Sequence, residues 1–384
     1  MIHGPGSSPM AETLRLFILA GEPSGDRIGA DLVRRLRTRV GLELTGVGGD
    51  ELQAEGLAPI YPMSDLAVMG ISDVLTRLPL LLWRVEQTAR YILKTRPDLV
   101  VLIDAQEFSR LVATRLRAKG FNRPVLLYVA PSVWARAPDR AAKLKPLFAE
   151  ILTVLPFEPA VLQRLGGPPA SYVGHPALAE TATATARDTG RVALLPGSRE
   201  GEIRRHLPLM RALAERLASE PAVTGFFMPT LSSLAERLRA EVASWPVPVE
   251  IVAERSARQA LYGETILAVS VAGTATLELA LGGVPMVIAY VMDRHQDRAF
   301  ERLGRPVVGL PNIVLGRTVT PEIVRGEPPM GEVTAAALDL ISNKKARQDQ
   351  CVAFGELSRI MQNGAAEAPR QDPADRVLAH CRKA

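Results

Sequence analysis

One carboxylate in the sequence stands where a general base would be useful. Asp104 directly follows the apolar run Leu99–Ile103, which is typical of a buried strand, so its side chain is expected at the mouth of a sheet. Such a carboxylate is costly to bury unless it is paired or used, and a partly desolvated one can take a proton from an attacking hydroxyl. A structural salt bridge is the alternative. Glu107, three residues on, is either a neighbour of Asp104 or a solvated helix-start residue.

A second motif has the chemistry of a phosphate site. The predicted strand Val192–Leu195 is followed by Gly197, Ser198 and Arg199, and then by a predicted helix over Ile203–Leu213. We expect Ser198 to cap this helix. Its free backbone N–H groups and the positive end of its dipole, with Arg199 beside them, then form an anion site suited to a diphosphate. The alternative is an ordinary helix cap with Arg199 in solvent.

The first turn of the chain, Ala20–Asp26, joins another buried strand to a helix through Gly21 and Gly25. Two glycines permit close approach of a ligand to the backbone, so we expect a ligand to lie over this turn. The dinucleotide fingerprint G-x-G-x-x-G is absent, which argues against NAD. The alternative is a structural turn capped by Ser24 or Asp26.

A third turn, Ser270–Glu278, also leads from a strand into a helix. Glu278 lies about one turn into this helix, where its carboxylate can accept hydrogen bonds from sugar hydroxyls, and a ribose would suit it. The alternative is that a glutamate in a first helical turn simply offsets the helix dipole. His175, in Gly174-His175-Pro176, either contacts a donor substrate, orients a hinge or is a buried histidine with one satisfied nitrogen.

Short apolar runs alternate with amphipathic stretches along the chain, which predicts α/β architecture with two doubly wound parallel sheets. Residues 173–190 contain few bulky apolar side chains, so we place a domain boundary there. We predict an N-terminal Rossmann-like domain over 12–178 and a C-terminal one over 179–355, facing across a cleft. Residues 356–384 are predicted to be a tail helix that packs back on the N-terminal domain. The predicted strands are Leu14–Ala20, Leu99–Asp104, Val125–Val129, Glu150–Leu155, Val192–Leu195, Gly225–Met228, Val249–Val252, Ile266–Val271 and Met286–Tyr290.

An apolar stripe at helical spacing runs through Met63–Leu93, interrupted by Pro79 and flanked by Arg77 and Arg84. Such a stripe either lies in a bilayer interface, binds acyl chains or faces a protein core. Its members are Val68, Ile71, Val74, Leu75, Leu78, Leu81, Leu82 and Val85.

The amino-acid composition favours some classes of binding partner over others. The chain has 384 residues, 46 basic against 41 acidic side chains and a formal net charge of +5, which favours anionic partners. Only 5% of residues are aromatic, and no basic and aromatic residues interleave, so anionic lipid or a phosphorylated small molecule is favoured over nucleic acid. The two cysteines lack metal-ligand spacing and fit a reducing cytoplasm. No apolar run is long enough to span a membrane, and residues 1–10 are interpreted as a leader without the features of a secretory signal.

Nine blocks, taken together and in order, resemble lipid-A-disaccharide synthases, which are glycosyltransferases of family 19 with the GT-B fold. They extend from about Leu14 to Arg325. The blocks are Ala20–Asp26, Met69-Gly70-Ile71, Ile103-Asp104-Ala105, Ala130–Ala135, Leu155–Glu158, Val173–Pro176, Leu194–Arg199, Gly273-Thr274-Ala275 and Leu310-Pro311-Asn312.

The resemblance implies transfer, with inversion, of 2,3-diacylglucosamine from its UDP donor to the 6-hydroxyl of 2,3-diacylglucosamine 1-phosphate, which gives a β-linked disaccharide and UDP. It implies Asp104 as base and Arg199 as the diphosphate-contacting arginine, without a metal or other cofactor. The implied UDP-sugar residues are Gly197, Ser198, Arg199, Gly273, Thr274, Glu278 and Asn312. The residues expected on the acceptor side are Gly21, Glu22, Ser24, Gly25, Asp26 and Met69.

The same resemblance implies a cytoplasmic protein bound peripherally to lipid of the inner membrane, with a homodimer as one possible assembly. The chain departs from the family pattern at Gln106-Glu107, Arg136, residues 293–296 and residues 323–325. Two alternatives therefore stay open: a GT-B transferase or epimerase that acts on another UDP-N-acylhexosamine, or a non-catalytic nucleotide or lipid binder.

Overall fold

The computed structural model describes residues 13–66, 71–135, 137–180 and 187–381, without the side chains of 71–75 and 179–180. The chain divides into two compact units. Unit 1 comprises Met1–His175 together with Asn363–Ala384, and unit 2 comprises Pro176–Gln362. The division thus lies three residues before the predicted border at 178, and the tail leaves unit 2 at residue 363 instead of 356.

In the described part of unit 1, six parallel strands form one sheet in the order β2-β1-β3-β4-β5-β6. The strands are β1 Thr13–Ala20, β2 Gly41–Val47, β3 Leu99–Ile103, β4 Val125–Tyr128, β5 Glu150–Thr153 and β6 Ala170–Tyr172. The α-helices are α1 Pro23–Arg37, α2 Asp50–Ala54, α3 Ile71–Thr95, α4 Gln106–Ala118, α5 Arg140–Leu144 and α6 Glu158–Arg164, with a 3₁₀ turn at Met63–Asp65.

The central strands of this sheet are apolar because both of their faces are buried. Every residue of β3 is buried, and β1 is buried from Leu16 onward. Helices then cover the sheet with their apolar sides, such as Val112 and Leu116 of α4 and Val85 of α3. Burial on two faces is what makes these strands readable from sequence as unbroken apolar runs.

In the described part of unit 2, six parallel strands form a second sheet in the order β12-β11-β10-β7-β8-β9. The strands are β7 Gly190–Leu195, β8 Val223–Pro229, β9 Val249–Val252, β10 Thr265–Ser270, β11 Met286–Val291 and β12 Glu322–Arg325. The α-helices are α7 Glu200–Leu217, α8 Ser232–Val242, α9 Arg255–Tyr262, α10 Thr274–Leu281, α11 Arg294–Arg302, α12 Leu310–Leu315, α13 Met330–Ser342 and α14 Lys344–Asn363, with a 3₁₀ turn at Pro176–Glu180.

Both sheets reverse their strand order once, and the reversal fixes where a ligand can bind. Unit 2 has the order 3-2-1-4-5-6 of dinucleotide-binding folds, with the reversal between β7 and β10. In unit 1 the reversal lies between β1 and β3. At such a point the connections leave in opposite directions and open a crevice beyond the carboxyl ends of the strands. The turns after β1, β3, β7 and β10 are those singled out in the sequence.

The tail of the chain is held in unit 1. After the short strands β13 Gly364–Ala365 and β14 Ala368–Pro369, the helix α15 Pro373–Cys381 follows. Arg376 donates two hydrogen bonds, of 3.0 and 2.9 Å, to the buried carboxylate of Glu150, and His380 lies 2.7 Å from the same group. Burial opposes ionisation of Glu150, but these hydrogen bonds outweigh it and hold the pKa of the carboxyl below its usual range.

Candidate active site

Asp104 lies immediately beyond β3, at the reversal point of the first sheet. Its backbone is left-handed, with φ +54°, and that of Ala105 is left-handed as well, with φ +42°. Two such non-glycine residues in succession are uncommon and cost free energy. The peptide is fixed on both sides, because Asp104 N donates to Tyr128 O at 2.9 Å and the Ser109 hydroxyl donates to Asp104 O at 2.8 Å. The strained turn therefore aims the carboxylate in a set direction.

The Asp104 side chain is half-buried. Burial raises its pKa above the usual value, and a hydrogen bond from the Ala105 backbone offsets this only in part. Among residues 13–66, 71–135, 137–180 and 187–381, none forms an ion pair with Asp104, so the salt-bridge alternative gains no support there. Glu107 is exposed and pairs with Arg110 at 2.9 Å and Arg140 at 3.0 Å. It behaves as a solvated helix-start residue.

The first turn packs directly against this strained segment. A Cβ on Gly21 would lie 2.6 Å from the Ala105 Cβ, which is closer than real side chains approach, so only glycine fits here. A Cβ on Gly25 would lie 3.3 Å from Ile103. Glu22 and Ser24 are exposed on the same turn. The structure thus brings together Gly21, Glu22, Ser24 and Gly25 with the segment that carries Asp104.

Asp26 has a structural task that differs from the one predicted. Its side chain is buried and accepts hydrogen bonds from the backbone N–H groups of Gly49 at 2.7 Å, Glu51 at 3.0 Å and Leu52 at 3.3 Å. It therefore caps α2 instead of its own helix, and a contact of its carboxylate with an acceptor would require these bonds to break. Met69 and the rest of its motif before residue 71 lie outside the described residues.

The second predicted turn lies at the reversal point of unit 2, between β7 and α7. The helix cap is Arg199 and not Ser198, so that prediction was wrong by one residue. The Arg199 side chain is 82% exposed and donates to Glu202 at 2.9 Å. Glycine 197 has φ +105°. The N-terminus of α7 therefore presents backbone N–H groups and an exposed guanidinium at one edge of the sheet, as an anion site requires.

Glu202, which was not predicted from the sequence, packs against this turn and accepts hydrogen bonds from it. It is buried, and a Cβ on Gly197 would lie 2.7 Å from Glu202 Oε2. Its two carboxylate oxygens accept hydrogen bonds from the Arg199 backbone at 3.4 Å and from the Arg199 guanidinium at 2.9 Å. The available signal was the spacing, since a glutamate three residues after a helix cap is typical of a capping box.

His206 ties the same helix to the neighbouring strand β11. It is fully buried, with Nδ1 2.7 Å from Glu202 O, and its Nε2 accepts the backbone N–H of Val291 at 2.8 Å. Because Nε2 accepts, the ring is neutral with its proton on Nδ1, in agreement with a pKa lowered by burial. His295, in contrast, is exposed near the start of α11.

The third turn lies beside the second, because Val271 N donates to Leu195 O at 3.0 Å. Gly273 has φ +156° and ψ −169°, a region almost confined to glycine. Gly273 and Thr274 are exposed, and Glu278 is half-buried as the fifth residue of α10. Glu278 lies near Tyr262, whose pKa burial and this carboxylate raise to about 12. The structure therefore assembles Gly197, Ser198, Arg199, Gly273, Thr274 and Glu278 at one sheet edge.

Asn312 is placed differently from its predicted neighbours. It is 2% exposed, and its amide donates to Thr320 O at 2.8 Å and to Glu322 Oε1 at 2.6 Å. Its carbonyl accepts from Val319 N at 2.7 Å and from Thr320 N at 3.0 Å. All four hydrogen-bonding positions of the side chain are thus used within the protein. Its contact with a nucleotide stays a prediction, and one that requires this network to open.

Two further features limit the chemistry of the site. Burial lowers the pKa of His175 to about 4, so this histidine is neutral near pH 7. Within the described residues, no group of three or more His, Cys, Asp or Glu side chains is arranged to hold a metal ion. Arg199 and the N-terminus of α7 supply positive charge at this edge of the sheet.

The family model for lipid-A-disaccharide synthetase matches residues 16–372. The chain belongs to the lipid-A-disaccharide synthase family. It is therefore a glycosyltransferase, as the resemblance implied.

Relatives within the family cover nearly the whole chain. A lipid-A-disaccharide synthase of Rhodopseudomonas palustris is 36% identical over 376 residues, which are 95% of this chain and 95% of the relative. One of Bradyrhizobium diazoefficiens is 36% identical over 381 residues, covering 96% and 97% of the two chains.

Solved structures that share the fold have low identity. The UDP-GlcNAc 2-epimerase of Neisseria meningitidis, solved with UDP-GlcNAc, has a TM-score of 0.57 and 12% identity, covering 91% of this chain and 98% of that chain. MurG of Acinetobacter baumannii has a TM-score of 0.54 and 15% identity, covering 97% and 100%. These likenesses confirm the predicted GT-B fold for this member of the lipid-A-disaccharide synthase family.

Proposed function

We propose that this enzyme transfers 2,3-diacylglucosamine from UDP to the 6-hydroxyl of 2,3-diacylglucosamine 1-phosphate, with inversion at the anomeric carbon. The observation that carries the proposal is that the reversal points of the two sheets hold complementary chemistry. A desolvated carboxylate, Asp104, lies at one, and an exposed arginine at a helix N-terminus, Arg199, lies at the other.

In the proposed reaction, Asp104 takes the proton from the acceptor 6-hydroxyl as its oxygen attacks the anomeric carbon. The bond from that carbon to the diphosphate oxygen breaks, and UDP leaves with the electron pair. Inversion follows from this single in-line displacement. The raised pKa of Asp104 makes its carboxylate a better proton acceptor than an exposed aspartate.

Unit 2 is proposed to hold the UDP part of the donor. Arg199 and the first N–H groups of α7 stabilise the charge that develops on the departing diphosphate, while Gly273 and Thr274 leave the neighbouring turn open to the nucleotide. Glu278 is proposed to accept hydrogen bonds from the ribose. The UDP-GlcNAc bound to the Neisseria epimerase, which shares this fold, supports a UDP-sugar as the donor class.

The acceptor and donor are acylated, so we propose that the enzyme works in the cytoplasm at the inner-membrane surface. No helix in the described part of the chain is long and apolar enough to cross a bilayer. On α3, Leu78, Leu82 and Trp83 are 42%, 48% and 54% exposed, whereas Val85 is buried in the core. Arg84 lies 4.3 Å from the centre of the Trp83 ring. An exposed apolar face that includes tryptophan suits a bilayer interface, whereas the Arg84 side chain is only 13% exposed and pairs with Asp65.

The remaining members of the predicted apolar stripe do not add to this exposed face. Leu81 packs against the core, while Val68 and the side chains of Ile71, Val74 and Leu75 lie outside the described residues. A homodimer stays a prediction.

The experiment that tests the reaction supplies purified protein with both acylated precursors and detects the tetra-acylated disaccharide phosphate by mass spectrometry. UDP release is measured in parallel. Product from the acylated pair supports the proposal. Turnover of UDP-N-acetylglucosamine alone would favour the epimerase alternative, and tight UDP binding without any product would favour the non-catalytic binder.

Membrane docking has its own test, which is sedimentation with vesicles that contain anionic lipid. Changing Leu82 and Trp83 together to serine is expected to lower vesicle binding about 10²- to 10³-fold, because roughly 2 kcal/mol is lost for each large apolar side chain that no longer inserts. Val352→Ser is the matched control, since Val352 is 74% exposed on α14 of unit 2. Equal binding of the two proteins would contradict docking through α3.

A further inference from the structure

The loops that follow β3, β4 and β5 are joined into one rim at the carboxyl edge of the first sheet. Gln106, just after the Asp104 turn, donates to Ala130 O at 3.3 Å in the loop after β4. That loop carries Trp134, whose indole N–H donates to Glu158 Oε1 at 3.3 Å in the segment after β5. Since neighbouring parallel strands end at the same edge, Trp134 lies on the same rim as Asp104.

The loop that carries Trp134 begins at a strained and anchored residue, Val129. Val129 is left-handed with φ +75°, an unusual conformation for a β-branched residue, and its N–H donates to Leu152 O at 2.9 Å. Val133 is buried in the core of unit 1, whereas Trp134 beside it is only half-buried. Strain of this kind is typical of segments that must present a side chain to a ligand.

Glu158 holds the indole edge. It is 3% exposed, and its other oxygen, Oε2, accepts the Leu155 N–H at 3.0 Å. The Phe157 ring meets the Trp134 ring edge-on, with centroids 5.3 Å apart and an interplanar angle of 84°. The N–H edge and one side of the indole are therefore occupied by protein, and the half-exposed remainder is left for another partner.

We propose that Trp134 is the platform against which the acceptor sugar ring packs, and that Glu158 is a positioning residue that acts through Trp134. This inference rests on the proposed function, because the partner is the sugar that presents its hydroxyl to Asp104. A sugar ring offers an apolar C–H face, which suits an aromatic surface held at a fixed angle. Ionisation of Glu158 strengthens its hold on the indole, since a carboxylate accepts from both donors.

The first test compares acceptor and donor kinetics in the full-length enzyme, with the acceptor in mixed micelles. Trp134→Ala is expected to raise the KM for the acceptor about five- to tenfold, with the donor KM unchanged within twofold. Glu158→Gln is expected to raise the acceptor KM about threefold, because its amide N–H₂ faces a donor in place of an accepting oxygen. Glu43→Gln, at an exposed position on the edge strand β2, is the matched control and should leave both constants unchanged.

A double-mutant cycle separates positioning from general stability. If Glu158 acts through Trp134, Glu158→Gln changes the acceptor KM less than twofold in proteins that already carry Trp134→Ala. Trp134→Phe keeps an aromatic ring against Phe157 but removes the N–H donor and part of the indole surface, so it should cost about threefold or more and abolish the effect of Glu158→Gln. Additive effects, or a donor KM that rises with the acceptor KM, would overturn the positioning role.

Acceptors with acyl chains of different length provide a further test. A contact with the sugar ring predicts the same Trp134→Ala penalty for acceptors with short and with long acyl chains, whereas a penalty that grows with chain length would overturn it. If the wild-type enzyme makes disaccharide and the Trp134→Ala variant has the same acceptor KM, this inference is refuted and the proposed function is not. Wild-type protein that makes no disaccharide defeats the proposed function and the inference with it.

Discussion

The reversal points of the two sheets have the same topology and opposite chemistry. In unit 1, the segment after β3 is built from left-handed non-glycine residues, and its carboxylate at Asp104 is half-buried. In unit 2, the turn after β7 is built on a glycine, and its charged side chain, Arg199, is 82% exposed. One edge holds a half-buried anion, and the other offers a cation and helix N–H groups to the solvent.

The contrast follows from what each edge has to do in the proposed reaction. A general base gains proton affinity from desolvation, and it needs a fixed direction, which strain and packing provide. A diphosphate is a large, strongly hydrated anion, so its site must be open and must supply N–H donors without close side chains. The partly desolvated carboxylate of unit 1 and the exposed arginine of unit 2 therefore show that the same strand topology can carry two different kinds of site.

The largest expected effect comes from the base. Asp104→Asn keeps a residue that tolerates the left-handed backbone but cannot accept the proton, so turnover should fall by about 10² to 10⁴. UDP affinity should stay within twofold, which calorimetry with UDP measures. Glu107→Gln removes an exposed carboxylate from the same helix start and should keep full turnover. A fully active Asp104→Asn enzyme would remove Asp104 from the mechanism.

The second expected effect is on nucleotide affinity. Arg199→Ala should weaken UDP binding about 10- to 100-fold, because a hydrogen bond to a charged group contributes roughly 1.5 to 3 kcal/mol. Arg211→Ala, which removes an exposed arginine paired with Glu215 on the same helix, is the control. Titration of both variants with UDP measures the difference, and equal affinities would place the diphosphate elsewhere.

The third effect tests the open backbone of unit 2. A Cβ on Gly273 would meet nothing within 4 Å, so Gly273→Ala introduces backbone strain without a clash. The free energy of unfolding should fall by about 1 to 3 kcal/mol, and UDP affinity should fall as the turn relaxes. Gly355 also has open space around it but lies within α14. Gly355→Ala should therefore stabilise the protein, by roughly 0.5 to 1 kcal/mol. Urea unfolding of both variants measures the contrast, and equal stabilities would refute it.

The sequence predicted the features that depend on local pattern. The fully buried strands β3 and β10 appear as apolar runs, and the turns after them carry the glycines and charged residues of the site. The strands β2, β6 and β12 lack such a run; all three lie at sheet edges and were not predicted. Partners distant in the chain were also beyond prediction, because nothing local pairs Asp26 with Gly49 or Asn312 with Glu322. The family resemblance supplied the substrates, which no spacing specifies.

The smallest expected effect is on the free energy of unfolding, and it tests whether the Asp104 carboxylate destabilises the fold. Burial raises the pKa of this carboxyl above its unfolded value, so its contribution to folding is favourable only in acid and is lost as the pH rises through the folded pKa. Asp104→Asn removes the buried charge, and the variant should therefore be more stable than wild type near pH 7. The gain should shrink as the pH falls toward the unfolded pKa of an aspartate, about 3.9, because the charge that burial opposes is then lost. Urea unfolding at both pH values tests this, with Glu107→Gln as the control for loss of one charge. A variant that is less stable at neutral pH would mean that the carboxylate serves the fold, and the contrast between the two sheet edges would then lose its functional meaning.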